Sequence, residues 1–369
     1  MVATNKIIFL SVHRKERSPS QRFRFEQYLD FLNKNNFSTL HFFLVSESDD
    51  KILYNKRNFF AKSFLIFKYI LKLNKLCRSI HNYDICYVQR ESIFIWTHYF
   101  EKKIAKKTKL VFDFDDSIWL ENVSNANKLF KWLKNPNKTK KIISFSDLIF
   151  SGNEYLSNYA SRFNKNTVII PTTIDTEMYQ NNFNNNNNNK IIIGWSGSIT
   201  TIQHFEYALP FLKKIFHKYK NTIEIKVIGD GSYVNENLKI KALPWCKETE
   251  IKDLCSFDIG IMPLPNNEWA KGKCGLKGLQ YMALGIPAIL SAVGVNNDII
   301  DDGKNGFLAK NNDEFESKLE LLINSKKLRL QLGENGKKTV EEKYSVNAWK
   351  SKYLEYFNNL INEKNSTLQ

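Results

Sequence analysis

The chain has 369 residues, which is more than one hydrophobic core usually supports, so its length predicts two domains. Apolar residues make up 43% of it, as in a globular protein, and no apolar run reaches the length of a membrane span. The five cysteines lack metal-ligand spacing and favour reduced thiols in a cytoplasm, and the first residues lack the long apolar core of a signal peptide.

The positive charge is concentrated in the first half of the chain. The formal net charge is +16, and residues 1–180 hold 29 lysines and arginines against 17 aspartates and glutamates. This balance favours an anionic partner, either a membrane surface, a phosphorylated lipid or nucleic acid. Solubility charge in a lysine-rich proteome is the alternative explanation.

Strand-length apolar runs alternate with helical segments along the whole chain. In the first half they fall at residues 7–11, 40–45, 85–89, 110–114, 148–151 and 168–171. The asparagine tract 181–189 has nothing to bury and is predicted to be a linker. Beyond it the runs resume at residues 191–195, 224–228, 259–262, 288–291 and 307–309. The alternation predicts two doubly wound α/β domains with parallel sheets, over residues 1–180 and 190–343.

Residues 59–78 mix large apolar side chains with five basic ones. This pattern predicts a basic amphipathic helix of the kind that lies on an anionic membrane. Most helices of this kind pack on their own sheet, which is the alternative.

The segment that begins at Lys273 is the most informative part of the chain. It follows a short buried strand, and residues 276–284 favour a helix that Gly285 ends. The unpaired N–H groups at the start of such a helix can hold an anion, and Lys273 and Lys277 flank that start. Gln280 lies on a neighbouring face, so a diphosphate and its attached sugar could be met together. An ordinary surface helix with two solvated lysines would show the same residues.

Other predicted strands also end in residues suited to binding. Gly197 and Ser198 form a small-residue turn after the first strand of the second domain, and Gly229 and Gly231 end the next strand. Each of these is also read as a plain tight turn. In the first domain, an arginine-rich loop follows the first strand, and Asp113, Asp115 and Asp116 follow the fourth. A solvated loop and a helix cap at Asp116 are the alternatives there.

The segment Lys273-Cys-Gly-Leu-Lys277, together with Gln280-Tyr-Met-Ala and Gly285-Ile-Pro287, resembles the donor-site signature of the family-four glycosyltransferases. These are retaining enzymes of GT-B architecture. The resemblance implies two Rossmann-like domains facing across a cleft, with a C-terminal helix over 344–369 that packs back on the first domain. It also implies metal-independent transfer of a hexose from a UDP- or GDP-sugar to a glycan or lipid-linked hydroxyl acceptor, in cell-surface polysaccharide or glycolipid synthesis.

The resemblance also implies roles for individual residues, with no cofactor besides the donor. Lys273, Lys277 and Asp115 would carry the chemistry. The acceptor or a phosphate would be met by Arg22, Arg24, Arg90 and Asp116. The donor would be bound by Gly197, Ser198, Gly229, Gly231, Glu250, Gly275, Leu276 and Gln280.

The sequence departs from the family pattern at two places. The Arg and Lys that many members place just after the turn at Gly197 are absent, and Lys273 and Lys277 are the candidates for the replacement charge. Of the two glutamates that the family spaces eight residues apart, the first falls on Gly272 and the second on Gln280. The identity of the donor sugar therefore stays open.

Two other classes of function remain. A non-catalytic basic protein would bind anionic membrane or nucleic acid, although no RNA-binding signature supports nucleic acid as the partner. A GT-B relative that has lost catalysis would explain the two departures from the family pattern.

Overall fold

The computed structural model describes residues 4–53, 59–120, 135–182 and 190–367. The chain folds into two compact units, one formed by Met1–Pro171 with Trp349–Gln369 and the other by Thr172–Ala348. The division therefore falls earlier than the expected end of the first domain at residue 180. Ile174 illustrates the reason, because it forms a β-bridge with Ser345 of the second unit. Of the predicted linker, residues 183–189 lie outside the described residues.

Six parallel strands form the sheet of the first unit. They are β1 (Asn5–His13), β2 (Phe37–Val45), β3 (Ile85–Gln89), β4 (Lys109–Phe114), β5 (Leu148–Ser151) and β6 (Thr167–Ile169). The helices are α1 (Pro19–Arg24), α2 (Leu29–Lys34), α3 (Glu47–Leu53), α4 (Phe59–Ser79), α5 (Tyr99–Ala105), α6 (Pro136–Phe145) and α7 (Glu154–Ala160). The strand order β2-β1-β3-β4-β5-β6 places a topological switch point between β1 and β3.

The second unit has its own sheet of six parallel strands. They are β7 (Ile191–Ser196), β8 (Ile223–Gly229), β9 (Lys241–Pro244), β10 (Ile259–Met262), β11 (Ala288–Ser291) and β12 (Phe307–Ala309). The helices are α8 (Ile202–Glu206), α9 (Leu209–Tyr219), α10 (Glu250–Cys255), α11 (Glu268–Lys271), α12 (Leu276–Ala283), α13 (Asn296–Ile299), α14 (Asn312–Asn324) and α15 (Lys326–Thr339). The order β12-β11-β10-β7-β8-β9 is that of dinucleotide-binding folds, with its switch point between β7 and β10.

The strands are apolar along their length because helices cover both faces of each sheet. Ile7, Ile8, Phe9 and Leu10 of β1 are fully buried, as are Ile259 and Ile261 of β10. The predicted fold class, two doubly wound α/β domains, is confirmed. Strand β9 was not predicted, because it is short, lies at the sheet edge and carries the exposed Lys241 instead of an apolar run.

A last helix, α16 (Val346–Thr367), supplies core residues to the first unit from Trp349 onward. Tyr353 and Phe357 are fully buried. The Tyr353 ring stacks on Tyr28 with 4.3 Å between ring centroids, and Phe357 lies 6.0 Å from Phe150 of β5. Along the described part of the chain, no helix combines the length and the apolar character needed to span a bilayer. All five cysteines are free thiols.

Candidate functional site

The topology of the second unit predicts a crevice at the switch point between β7 and β10, because the connections after these strands leave the sheet in opposite directions. The connection after β7 contains Gly197 and Ser198, and the one after β10 leads through Lys273 to α12. Ligands of open α/β sheets bind outside the carboxyl ends of the strands at this point. The topology thus brings together two segments that the sequence singles out for anion binding.

Helix α12 begins in a fixed position at this crevice. Gly275, just before the first helical residue Leu276, has a φ of +70°, and a Cβ there would lie 2.2 Å from the Ile299 side chain. The hydroxyl of Tyr281 accepts a hydrogen bond from the backbone N–H of Ser196 at 2.9 Å. This contact, which sequence reasoning missed, ties α12 to the end of β7. The N-terminal N–H groups of α12, which an α-helix leaves without an intrahelical partner, are therefore held at the switch point.

Both predicted lysines lie at this end of the sheet. The Nζ of Lys277 lies 5.4 Å from the centre of the ring of Trp195 in β7. The Nζ of Lys273 lies 3.7 Å from the centre of the Trp269 ring. Trp269 in turn lies 4.7 Å, ring to ring, from His204 of α8. Two ammonium groups thus approach the segment that follows β7.

The pKa of His204 is lowered in part by the positive charge of these two lysines. Burial first, and then the charges of Lys277 and Lys273, lower this pKa from 6.5 to about 3. Helix α8 contains no lysine or arginine of its own. The segment after β7 therefore receives its positive charge from the lysines around α12. Neither His204 nor Trp269 was predicted, because neither lies in a motif.

The two glycine turns lie side by side at the carboxyl ends of β7 and β8. Gly229 has a φ of +147°, and a Cβ on it would lie 2.5 Å from the carbonyl oxygen of Gly197. A Cβ on Gly231 would lie 2.8 Å from the Pro244 ring. The Ser198 hydroxyl lies 3.2 Å from the Thr201 hydroxyl in a capping box that starts the next helical turn. The glycines are needed for close backbone approach, and Ser198 holds the turn in shape.

Glu250 and Gln280 belong to one buried hydrogen-bond network. The Gln280 amide donates to the Tyr179 hydroxyl at 2.8 Å and to Glu250 at 3.3 Å. The Tyr179 hydroxyl donates to the other Glu250 oxygen at 3.0 Å, and the Trp245 indole donates to Glu250 at 2.9 Å. Glu250 is 6% exposed and Gln280 is 5% exposed. The two residues predicted to meet the nucleotide therefore share their partners.

A second polar cluster lies in the first unit, after the ends of β1, β3 and β4. Arg90 donates to Asp115 at 2.8 Å and lies 3.8 Å from Asp116, and Ser20 of α1 donates to Asp115 at 2.5 Å. Burial alone would raise the pKa of Asp115, but the charges of Arg90 and Arg24 and the Ser20 hydrogen bond outweigh it and lower the pKa. Asp115 is thus a stabilised carboxylate just after the carboxyl end of β4.

The structure corrects the expectation for Arg24. Its guanidinium is fully buried, pairs with Asp113 of β4 and donates to the Ile170 carbonyl. It therefore compensates a buried carboxylate instead of facing an acceptor or a phosphate. Arg22, two residues earlier, is partly exposed and has its guanidinium 5.0 Å from the centre of the Phe23 ring.

The structure thus assembles the predicted residues in two places. The second unit collects the two lysines, the glycine turns, the α12 start and the Glu250–Gln280 network, and the first unit collects Arg90, Asp115 and Asp116. Among the residues that the structure describes, no group of three or more His, Cys, Asp and Glu side chains is arranged to hold a metal ion.

Comparison with known proteins finds a family model that matches part of the chain. Residues 179–339 match the family model described as "Glycosyl transferases group 1", which covers most of the second unit. The capsular polysaccharide biosynthesis glycosyltransferase CapM of Staphylococcus aureus is 24% identical over 187 residues, which cover 47% of this chain and 47% of CapM. Alignments with curated relatives span 60% or less of the length of those relatives.

Solved structures resemble nearly the whole chain. Sucrose-phosphate synthase from Thermosynechococcus elongatus has a TM-score of 0.73 at 12% identity, over 97% of this chain and all of that one. The HepE protein of Anabaena, solved in complex with UDP and glucose, has a TM-score of 0.65 at 13% identity, over 96% of this chain and all of that one. At these identities the likeness concerns the fold, which is GT-B.

Proposed function

We propose, starting from the group 1 glycosyl transferase match over residues 179–339, that this chain is a retaining glycosyltransferase. It would transfer a hexose from a nucleotide-sugar donor to a hydroxyl acceptor. The observation that carries the proposal is the approach of Lys273 and Lys277 to the segment after β7, at a switch point where a helix start is also held. Two cations and the N-terminus of a helix at one point suit a diphosphate.

The donor is assigned to the second unit. Its diphosphate lies against the N-terminus of α12, next to Gly275 and Leu276, where the helix dipole and the two lysines neutralise its charge. The glycine turns at Gly197 and Gly229 let the backbone approach the nucleotide closely. The Glu250–Gln280 network forms the wall at the ribose and base. UDP or GDP is the expected nucleotide, and HepE, with the same fold, was solved with UDP.

The reaction breaks the bond between the anomeric carbon and the donor phosphate and forms a bond from the same carbon to the acceptor oxygen. Lys273, Lys277 and the α12 N-terminus stabilise the negative charge that develops on the departing diphosphate. The acceptor attacks from the face that the diphosphate leaves, and its proton passes to a leaving phosphate oxygen. No metal is required, because cations and helix dipole meet the charge.

The acceptor is assigned to the polar cluster of the first unit. Asp115 and Asp116 with Arg90, and the partly exposed Arg22, offer charged hydrogen bonds to a hydroxyl or a phosphate. A glycan or lipid-linked acceptor in cell-surface polysaccharide or glycolipid synthesis fits this cluster, and CapM is named for such a pathway. The protein would act in the cytoplasm, at the inner face of the membrane.

A nucleotide panel tests the proposal directly. The melting temperature is measured with UDP, GDP, ADP and CMP, because a ligand that binds only the folded state raises it. We expect UDP or GDP to raise it in the wild type and to raise it less in Lys277→Ala. The matched control is Lys326→Ala, an exposed lysine of α15. The absence of any shift with all four nucleotides, together with no transfer from nucleotide sugars, would overturn the proposal.

A further inference from the structure

Helix α4 has apolar side chains on two opposite faces. One face packs inside the first unit through Leu65, Tyr69, Leu73 and Leu76, which are buried. The other face points to solvent. Phe60 is 90% exposed, Phe64 68%, Phe67 56% and Leu71 54%. We call these four residues the α4 stripe.

The α4 stripe is continuous along the helix. Its members are spaced by four, three and four residues, which places them on one line over about 16 Å of helix. Exposed apolar residues that occur singly need no explanation, but a contiguous patch with three phenylalanines marks an interaction surface. The packing of α4 on its own sheet, the alternative left open by the sequence, is done by the opposite face and does not account for the stripe.

The charged residues of helix α4 itself are all basic. Helix α4 contains five basic residues and no acidic one. Lys75 and Arg78 are exposed and lie beside the stripe or at its end, by the helical period of 3.6 residues. Two of the five serve the fold, since Lys68 pairs with Asp49 at 2.8 Å and Lys72 donates to the Phe43 carbonyl. For Lys68 and Lys72, a role in the fold therefore replaces the expected contact with an anionic partner.

We infer that the α4 stripe docks on the surface of an anionic lipid bilayer. Phenylalanine and leucine side chains enter the boundary between headgroups and acyl chains, while Lys75 and Arg78 stay with the headgroup phosphates. A second copy of the chain fits less well, because a two-fold contact through the stripe would bring the same cations against each other. The bilayer contact deepens the proposed function, and its use in presenting a lipid-linked acceptor rests on that function.

Vesicle co-sedimentation tests the inference without donor or acceptor. The vesicles are phosphatidylcholine alone, or phosphatidylcholine with phosphatidylglycerol, each at low and high salt. Phe64→Ser/Phe67→Ser removes the apolar contact, and Lys75→Glu/Arg78→Glu reverses the exposed charge. The matched controls in the second unit are Leu321→Ser/Leu330→Ser and Lys326→Glu/Lys327→Glu, all at exposed positions.

The wild type is expected to bind the anionic vesicles, more weakly at high salt, and the plain vesicles least. Both α4 variants should bind the anionic vesicles at least about tenfold more weakly, because one loses apolar insertion and the other loses attraction to the headgroups. Both controls should bind like the wild type. Equal binding by wild type and α4 variants, or no binding of the wild type to anionic vesicles, would overturn the inference.

A spectroscopic readout tests insertion itself. Phe67→Trp places an indole in the α4 stripe, and Leu330→Trp places one on the second unit. Subtracting the wild-type emission spectrum from that of each variant leaves the signal of the introduced indole. Anionic vesicles should shift this difference spectrum to shorter wavelength for Phe67→Trp but not for Leu330→Trp. An unshifted Phe67→Trp would also overturn the inference. The nucleotide melting shift of the α4 variants should stay as in the wild type, so a failure here is separate from a failure of the proposed function.

Discussion

The side-chain amide of Gln280 lies 3.3 Å from a carboxylate oxygen of Glu250, inside the core of the second unit. At position 280 the family-four pattern has a glutamate. Here a second carboxylate at that place would face Glu250 at hydrogen-bond distance with little water between them. The amide instead donates to both Glu250 and Tyr179. The neighbouring Glu250 thus favours an amide over a carboxylate at position 280.

Gln280→Glu should therefore destabilise the second unit. A carboxylate beside Glu250 removes two donated hydrogen bonds and adds repulsion, which together cost about 2–4 kcal/mol at neutral pH. The pKa of the introduced carboxyl is raised in the folded state, so the loss should shrink as pH falls below that pKa. Denaturant unfolding at pH 7 and pH 5 measures it. Gln280→Glu/Glu250→Gln should recover most of the loss, and a double variant as unstable as the single one would contradict the explanation.

Lys277→Ala should lower kcat with a nucleotide sugar by about 10²-fold or more. The reason is the loss of a cation that acts on the charge of the leaving diphosphate. Steady-state kinetics, with the melting temperature as a check on folding, measure the effect. Lys326→Ala should keep the wild-type kcat. Wild-type turnover in Lys277→Ala would remove this lysine from the mechanism.

Asp115→Asn should impair transfer while nucleotide affinity stays nearly unchanged, because Asp115 belongs to the first unit and the nucleotide is assigned to the second. The substitution keeps the shape but leaves Arg90 without its closest carboxylate. We expect kcat/KM for the acceptor to fall about tenfold or more. Calorimetry with UDP or GDP checks the second half of the statement, with the exposed Asp30→Asn as the control. Loss of nucleotide affinity in Asp115→Asn would show that the substitution acts on the fold or on the other site.

One buried histidine and two partly buried ones should make the protein less stable in mild acid. Burial is the largest cause that lowers the pKa of His204 to about 3 and those of His13 and His41 to about 4. Folded pKa values below the unfolded 6.5 mean that the unfolded chain binds more protons between these limits. Their contribution is thus complete above pH 6.5 and is lost as pH falls towards 3.

The histidine prediction is checked by unfolding free energies at pH 7 and pH 5. Each group contributes at most about 1.4 kcal/mol per pH unit to the slope of the unfolding free energy against pH. His204→Gln should therefore reduce this slope by up to that amount. The exposed His217→Gln should leave the pH dependence as in the wild type. An unchanged pH dependence in His204→Gln would contradict a neutral His204 in the folded state.

Apolar periodicity was sufficient to predict the strands and the fold class, because strands buried on both faces must be apolar throughout. It missed the edge strand β9, whose Lys241 is exposed. The helix from Leu276 was predicted within one residue, since Gly285 adopts the left-handed conformation that ends it.

Side-chain partners across the sheet could not be predicted in the same way. Arg24 and Asp113 are separated by 89 residues, and nothing in either segment shows that they pair. The same holds for Tyr281 with Ser196 and for Tyr179 with Glu250. A motif suggests which residue types meet a ligand, but burial decides whether a charged side chain faces the ligand or the core.

Helix α16 determines when the first unit can complete its fold during translation. Tyr353 and Phe357 complete the core around Tyr28 and Phe150, yet they are translated after every residue of the second unit. On the ribosome, the first unit cannot close its core until the chain has been translated past the whole second unit. Nascent first-unit strands therefore stay exposed longest, and this is the stage at which a chaperone has most to protect.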